Sequence, residues 1–283
     1  MASLAKRIRT SALTYSLFRW YLRFFPDRTR GFVFVATTGR SGTDSLSTVL
    51  NTLPNCASFH EPAPLMGDNS PPGSDRMSYY KKLFYQRKLP AIQMAARNHD
   101  YYVETNHQFI KHFADHAIAA FGDRIRIIHL VREPWKVASS FYMFDSIPGR
   151  TSLGRKYMLD PMASDNFIQI GDVLRKNEFS HDYYCCVWYW YETEARVKQL
   201  RIKSPQVKWH TMRTEDLNNL AALTEMFANL DLPVTSDLGR AVNTRKNEKT
   251  EKKKWSIDPQ ESERMHLRLL SEMESRYGTN FWK

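Results

Sequence analysis

One short segment limits the fold of this chain more than any other: an apolar run, a glycine-rich turn and a helical pattern in direct succession. Gly31–Ala36 (GFVFVA) has the β-branched and aromatic residues of a buried strand. The turn Thr37–Thr43 (TTGRSGT) follows, and Asp44–Leu53 has the apolar spacing of a helix. A strand, a tight turn and a helix in this order predict the first half of a unit that builds parallel sheets.

The rest of the chain repeats this alternation. Further strands are predicted over Cys56–His60, Tyr101–Glu104, Arg126–Val131 and Val207–Met212, with helical stretches near 76–96, 106–121, 134–144, 181–203 and 217–229. Such alternation favours an α/β fold of three layers, in which helices flank a central parallel sheet. With 283 residues and no clear internal boundary, we expect one domain over residues 31–283, preceded by a basic amphipathic helix in residues 1–30.

The glycine-rich turn predicts an anion site. Backbone N–H groups at a helix N-terminus point at a ligand, glycine permits its close approach, and Arg40 adds a charged donor. The predicted contacts are Thr38, Gly39, Arg40, Ser41, Gly42, Thr43 and Asp44. The turn is P-loop-like, yet Gly42 is followed directly by Thr43, so the lysine of the nucleotide-triphosphatase pattern GxxxxGK[ST] is missing. This argues against ATP or GTP hydrolysis.

A second candidate site follows the strand Arg126–Val131. Arg132 ends that strand, and a helix beginning at Glu133-Pro134 brings Ser140 back about two turns later. An arginine at the carboxyl end of a parallel strand projects into the crevice where such sheets bind ligands. Taken alone, Arg132 fits a structural ion pair as well as a binding role.

Together the loop GRSGT and the spacing from Arg132 to Ser140 resemble the two phosphosulfate-binding motifs of the sulfotransferase family, whose members use 3′-phosphoadenosine 5′-phosphosulfate (PAPS). The resemblance implies that the loop holds the 5′-phosphosulfate and that Arg132 and Ser140 hold the 3′-phosphate. Arg40, where the cytosolic small-molecule branch usually has lysine, is similar to the carbohydrate and protein-tyrosine branches. Thr211–Leu217 (TMRTEDL) resembles the family's RYEDL segment, with Thr214 in place of the usual tyrosine.

The resemblance also implies an activity. A PAPS-dependent sulfotransferase would move the sulfuryl group of PAPS to a hydroxyl of an acceptor, here expected to be a carbohydrate or glycolipid, and would release 3′-phosphoadenosine 5′-phosphate (PAP). No metal is predicted. His112 and His116 lie four apart on a predicted helix, but no third ligand is suggested, so a solvated helix face is the favoured interpretation.

The candidate base is Glu61, which follows the second strand at the place where the carbohydrate and protein-tyrosine branches resemble one another in carrying a glutamate base. The alternative is a capping or ion-paired glutamate. Glu104–His107 (ETNH) follows the third strand, where the cytosolic branch has Lys-Thr-His; Glu104 replaces the lysine and Asn106 the histidine. His107 is favoured as a supporting or structural residue, with a role as base kept open. The predicted catalytic residues are therefore Glu61, Arg40 and His107.

Charge is concentrated in two segments. The formal net charge is +11; residues 1–30 hold seven basic residues and one acidic, and residues 240–255 hold seven basic and two acidic, so these segments carry +6 and +5. The near-neutral remainder disfavours nucleic-acid binding. Residues 240–255 are similar in position to the loop that covers the nucleotide in sulfotransferases, which implies contacts from Arg245, Lys246 and Trp255. A solvated charged loop is the alternative.

The N-terminal segment and the compartment leave alternatives open. Residues 1–25 form either an interfacial helix on an anionic membrane or, as we favour, a helix docked on the domain. Three cysteines, two of them adjacent, and the lack of a glycosylation acceptor favour the cytoplasm. Two other functions compete: a nucleotide-dependent phosphotransferase using the same loop, and a non-enzymatic protein that binds membrane surfaces or nucleic acid.

Overall fold

Five parallel strands form the central sheet of the computed structural model, which describes residues 17, 20, 28–67, 75–242 and 257–281. The strands are β1 (Gly31–Ala36), β2 (Cys56–His60), β3 (Tyr101–Thr105), β4 (Ile125–Val131) and β5 (Lys208–Arg213). They are ordered β2-β3-β1-β4-β5, and every neighbouring pair is parallel. The predicted α/β class with a central parallel sheet is confirmed.

The strand predictions are correct to within one residue. β1 and β2 have the predicted bounds, whereas β3 continues to Thr105 because that residue pairs with His60 of β2. β4 begins at Ile125, which pairs with Phe32, and β5 continues to Arg213, which pairs with Val131. The ends of the strands are thus set by the neighbouring strands, and the local apolar pattern does not contain that information.

Helices cover both faces of the sheet. They are α1 (Thr43–Leu50), α2 (Arg76–Leu83), α3 (Leu89–Ala96), α4 (Ala114–Phe121), α5 (Pro134–Met143), α6 (Ser152–Tyr157), α7 (Tyr183–Lys203), α8 (Leu220–Asn229), α9 (Asp237–Val242) and α10 (Pro259–Tyr277). Single π-helical turns, Phe84–Lys88 and Phe109–Phe113, join α2 to α3 and precede α4. Short 3₁₀ turns occupy Gly122–Arg124, Val173–Arg175, Asn177–Phe179 and Thr214–Asn218. α6, α9 and α10 are not among the predicted elements.

Side chains of β1 alternate between two buried cores. Phe32 and Phe34 point to one face, where Phe34 stacks on Phe109 with ring centroids 4.8 Å apart. Val33 and Val35 point to the other face and pack with residues of α1 and α8. Burial of each large apolar side chain stabilises the fold by ~1.5–3 kcal/mol. The alternation therefore holds the turn after β1 rigidly at the carboxyl edge of the sheet.

The aromatic first half of α7 belongs to a third buried cluster. Tyr183, Trp188 and Tyr189 are fully buried. This stretch therefore forms part of the core. Among the described residues, no helix combines the length and the apolar character needed to span a bilayer. The helix predicted in residues 1–30 lies almost entirely outside the described residues.

Candidate active site

The turn after β1 has a backbone that glycine makes possible. Gly39 and Gly42 have φ angles of 88° and 86°, and Arg40 between them has φ 58°. Gly42 is the N-cap residue of α1, and no described side chain caps that helix. The first N–H groups of α1, from Thr43 and Asp44 onward, are therefore directed toward the crevice at the carboxyl edge. This cradle suits an anionic group.

Hydroxyl groups of the turn hold the turn itself together. Ser41 donates to Gly39 O at 3.1 Å and lies 3.2 Å from the Thr38 hydroxyl, and both side chains are buried. Thr214 donates to Ser41 O at 2.7 Å and lies 3.1 Å from Val131 O, which ties the turn to the end of β4. Thr38 and Ser41, predicted as anion contacts, can therefore offer their backbone N–H groups while their side chains brace the loop.

Arg40 contacts the Arg132–Ser140 segment. Arg40 Nε donates to Ser140 Oγ at 2.9 Å, and Arg132 Nη1 donates to Arg40 O at 2.8 Å. The Arg40 guanidinium also lies 4.4 Å from the centre of the Phe144 ring. The pairing of β1 with β4 explains this, because the two segments follow neighbouring strands.

The charges of Arg40 and Arg132 favour the binding of an anion beside them. Burial lowers the pKa of Arg40, and the charge of Arg132 lowers it further, against the opposing effect of Glu61. Burial likewise lowers the pKa of Arg132, while Glu215 raises it. Both guanidinium groups stay charged at neutral pH, because an arginine pKa remains far above it. Two cations this close together repel each other, and bound phosphate groups would reduce that repulsion.

Glu61 and His107 lie next to the turn. β3 separates β2 from β1 in the sheet, so Glu61 after β2, His107 after β3 and Gly39 after β1 occupy adjacent positions at one edge. Glu61 has φ 46°, and its side chain is 40% exposed, with Oε1 3.7 Å from His107 Nε2. A Cβ on Gly39 would stand 2.9 Å from His107 Nδ1, so only glycine fits here. The glutamate thus faces open space, and the histidine is enclosed.

Hydrogen bonds determine what His107 can do. Gln108 Nε2 lies 2.7 Å from His107 Nε2 and 3.0 Å from the carbonyl oxygen of Tyr157, so the amide nitrogen is the donor to both. His107 Nε2 therefore accepts, and its ring proton is on Nδ1. Burial, with the charges of Lys111 and His60, holds the pKa of His107 well below its usual value. A neutral ring whose acceptor nitrogen is already used is better suited to positioning than to accepting a proton.

Glu104 and Asn106, which depart from the cytosolic pattern, form a buried network below the site. Lys88 Nζ lies 2.7 Å from Glu104 Oε1 and donates to Pro62 O at 3.1 Å. Tyr102 and Asn106 each donate to Glu104 at 2.7 Å. Lys88 and Glu104 neutralise each other in the core, so Glu104 has a structural role. The sequence gives no signal for this pair, because Lys88 comes from a π-helical turn 16 residues earlier.

Lys111 is a buried residue near the site that sequence reasoning missed. Its Nζ donates to Tyr189 Oη at 3.0 Å and to Tyr157 O, and Tyr189 Oη in turn donates to Thr38 O at 3.0 Å. Burial lowers the pKa of Lys111 to about 7, with Glu61 raising it and Arg196 lowering it. The glycine-rich turn is therefore linked by hydrogen bonds to the π-helical turn that carries this lysine.

The interpretation of His112 and His116 as a solvated face is wrong for His112. His112 is only 8% exposed and stacks on Tyr80 with ring centroids 4.0 Å apart. The π-helical turn Phe109–Phe113 rotates this stretch relative to a regular α-helix, which brings His112 inward. Across the described ranges, no group of three or more His, Cys, Asp or Glu side chains is arranged to hold a metal.

Arg245, Lys246 and Trp255 lie outside the described residues, so their contacts with a nucleotide stay a prediction.

The fold of this chain is similar to that of several solved sulfotransferases. It matches the sulfotransferase domain from the curacin biosynthetic pathway at 15% identity and a TM-score of 0.48, over 77% of this chain and 80% of that one. It matches the sulfotransferase of Alicyclobacillus acidocaldarius at 13% identity and a TM-score of 0.46, over 87% of this chain and 95% of that one. It matches sulfotransferase STF1 of Mycobacterium tuberculosis at 12% identity and a TM-score of 0.49, over 90% of this chain and 81% of that one. No protein-family model and no curated protein matches the chain.

Proposed function

We propose that this protein transfers the sulfuryl group of PAPS to a hydroxyl group of an acceptor. The proposal rests on the contact between two segments that are far apart in sequence and that we propose to bind phosphate: Arg40 Nε donates to Ser140 Oγ at 2.9 Å, and Arg132 Nη1 donates to Arg40 O at 2.8 Å. A donor with phosphate groups at two separate positions needs two such segments. A nucleoside triphosphate, the donor of the competing phosphotransferase, carries its phosphates in one chain and would use the turn alone.

Different residues would hold the two ends of the donor. The N–H groups at the start of α1 and the Arg40 guanidinium would hold the 5′-phosphosulfate, because they form an uncapped helix N-terminus with a cation beside it. Arg132 and Ser140 would hold the 3′-phosphate. Arg245, Lys246 and Trp255 would cover the nucleotide from the segment that follows α9.

The transfer needs one base and one stabilised leaving group. The acceptor oxygen forms a bond to sulfur while its proton passes to a Glu61 carboxylate oxygen. The bond between sulfur and the bridging phosphate oxygen breaks, its electron pair stays on that oxygen, and PAP leaves. Arg40 and the backbone N–H groups of the turn stabilise the charge that develops there. His107 holds its neighbours in place, since its Nδ1 side packs on Gly39 and its Nε2 lies 3.7 Å from Glu61.

We propose a carbohydrate or glycolipid as the acceptor, with the protein in the cytoplasm and residues 1–25 in peripheral contact with a membrane. The choice of acceptor follows the sequence resemblance of Arg40 and Glu61 to the carbohydrate branch, and the exposed Glu61 side chain suits an acceptor that approaches from solvent. All three cysteines are unpaired thiols, which fits a reducing compartment.

The test has two arms. In the first, purified protein is incubated with PAPS labelled in its sulfate and with panels of sugars, glycolipids, phenols and peptides; transfer to one class, and no transfer of the γ-phosphate from labelled ATP, is expected. In the second, PAP, AMP and ATP are compared by thermal shift. We expect PAP to raise the melting temperature far more than AMP or ATP. Equal shifts, or phosphate transfer from ATP, would overturn the proposal.

A further inference from the structure

A cavity of about 530 Å³ opens on the helical layer, away from the residues assigned to the nucleotide. Its walls come from the start of α2, the stretch from Ile110 to His116, the second half of α7 and residues 159–167. Neither the turn Thr37–Thr43 nor Glu61 contributes to its lining. A volume of this size is within the range of small-molecule sites in proteins.

The mouth of the cavity is apolar and exposed to solvent. Met77, Phe167 and Ile202 line it, and all three side chains are among the exposed large hydrophobic residues of the described chain. Deeper in, the walls continue with Ile110 and Leu200. An apolar surface that begins at solvent and continues into a cavity is unfavourable when it faces water, and an apolar molecule that covers it removes that cost.

The inner wall carries a cation whose hydrogen-bond partners are neutral. Lys111 is 6% exposed and donates to two neutral oxygens, Tyr157 O and Tyr189 Oη; no described carboxylate lies within 4 Å of its Nζ. Two other cations that line the cavity are paired with carboxylates, Lys203 with Asp115 at 2.7 Å and Arg196 with Glu192 at 2.7 Å. A lysine ammonium has three N–H donors, so one remains for a ligand.

His112 supplies a second polar group beside this lysine. It lines the same cavity, is 8% exposed, and its Nε2 is buried with no hydrogen-bond partner among the described residues. A buried ring nitrogen without a partner is costly, and native structures leave few such groups. Lys111 and His112 both line this cavity, and both come from the π-helical turn Phe109–Phe113.

We propose that this cavity binds an amphiphilic carboxylate, with its hydrocarbon body along the apolar walls and its carboxylate on Lys111 Nζ and His112 Nε2. The hydrocarbon body accounts for the exposed mouth, and the carboxylate supplies a directly bonded counter-charge, which no described carboxylate gives Lys111 within 4 Å. The site is separate from the nucleotide crevice, so the proposal does not depend on sulfuryl transfer.

The charge state of Lys111 sets a pH dependence for this binding. Burial lowers the pKa of Lys111 to about 7, and a carboxylate binds its protonated form. Affinity is therefore expected to fall by up to about tenfold per pH unit above 7. The charged and titratable groups that act on Lys111 and His112 from the surrounding elements are Glu61, Arg76, Arg196, His107 and Tyr189. Burial and the neighbouring cations hold the pKa of His112 well below its usual value, so its ring stays neutral over this range.

The experiment compares decanoate with decanol by titration calorimetry on the full chain at pH 6.5, with both ligands below their aggregation limits. Each titration is repeated in the presence of saturating PAP. We expect decanoate to bind about tenfold or more tightly than decanol, because a hydrogen-bonded charge adds to the same apolar contact. Saturating PAP should leave decanoate binding in place, which separates this cavity from the crevice. Equal affinities for the two ligands, or loss of decanoate binding in PAP, would contradict the proposal.

Matched variants assign the binding to the cavity. Lys111→Met keeps the side-chain length and removes the charge, so decanoate should bind no better than decanol. Lys203→Met removes a lysine already paired with Asp115 and should keep the preference. Leu200→Trp should block both ligands by filling the cavity. If Lys111→Met does not fold, the wild-type pH profile decides: a decanoate affinity that is unchanged between pH 6.5 and 8.5 overturns the role of Lys111.

Discussion

Arg40 Nε donates to Ser140 Oγ across 2.9 Å, although 100 residues separate the two in sequence. The contact exists because β1 and β4 pair directly and each ends at the same edge of the sheet. It orients the Arg40 guanidinium, which also lies over the Phe144 ring. The charges of Arg132 and Glu61 act on the same guanidinium. The 5′-phosphosulfate proposed to bind Arg40 would meet a cation whose direction is already fixed, which reduces the entropy lost on binding.

Ser140→Ala tests this orientation. The variant removes the acceptor of the Arg40 Nε bond and a direct donor to the proposed 3′-phosphate, so PAP affinity should fall about 5- to 50-fold. Titration calorimetry with PAP measures it. Ser139→Ala is the matched control, because the neighbouring hydroxyl donates to Ser262 Oγ at 3.0 Å, away from Arg40. Ser139→Ala should leave PAP affinity unchanged; equal losses in the two variants would contradict the assignment.

Arg132→Ala should remove the preference for PAP over AMP, since these nucleotides differ in the 3′-phosphate that Arg132 would bind. In Arg132→Ala, PAP should raise the melting temperature no more than AMP does. Arg213→Ala is the control: it removes a guanidinium at the end of the neighbouring strand β5 that pairs with Glu133 at the surface. Arg213→Ala should keep the preference, and a preference that survives in Arg132→Ala would move the 3′-phosphate elsewhere.

The edge of the sheet could be predicted from sequence because it depends on local patterns. The apolar run of β1 and the turn after it are contiguous, and Arg132 directly follows the apolar run of β4. Parallel strands then bring such ends together without further information. α10 was not predicted, although its beginning has a local signal: Asp258 accepts from the N–H groups of Gln260 and Glu261, and Pro259 occupies the first helical position.

Other parts of the site depend on contacts that no local pattern contains. Lys111 reaches Tyr189 of α7 across 78 residues, and its burial follows from how α7 packs on the π-helical turn Phe109–Phe113. That turn itself replaces a regular helical pattern, which is why His112 lies inside. The pairing of charged side chains in a core is set by tertiary packing, and a sequence shows them only as polar positions on a helix or strand.

Glu61→Gln should keep PAP affinity and lower the turnover number by about 10²- to 10⁴-fold, the range for loss of a general base. His107→Gln should affect turnover less, because Gln108 already occupies the acceptor nitrogen of that ring. Labelled sulfate transfer measures turnover, and PAP calorimetry on both variants checks that the crevice is intact. The opposite order of effects would assign the base to His107.

Glu104→Gln should destabilise the fold by about 3–5 kcal/mol, because it leaves the buried Lys88 ammonium without its counter-charge. Urea unfolding measures the loss. Adding Lys88→Met in the same chain removes the orphaned charge and should restore much of the free energy of unfolding. A double variant less stable than Glu104→Gln alone would show that the pair is not the source of the effect.

Lys111 should make stability depend on pH in a defined window. The unfolded chain keeps the Lys111 proton up to about 10.5, whereas burial lowers the folded-state pKa to about 7. Folding below pH 10.5 therefore requires release of that proton or burial of the charge, and the contribution of Lys111 to the free energy of unfolding rises with pH from about 7 to 10.5 and is constant below 7. Lys111→Met removes this dependence.

The measured quantity is the free energy of unfolding of Lys111→Met minus that of the wild type, from urea titrations at pH 6, 7.5 and 9. We expect this difference to favour the variant most at pH 6 and to decrease by up to about 1.4 kcal/mol per pH unit above pH 7. Lys203→Met, which removes an exposed lysine, serves as the control and should show no such trend. A difference that stays constant from pH 6 to 9 would mean that Lys111 keeps its ordinary pKa in the folded protein.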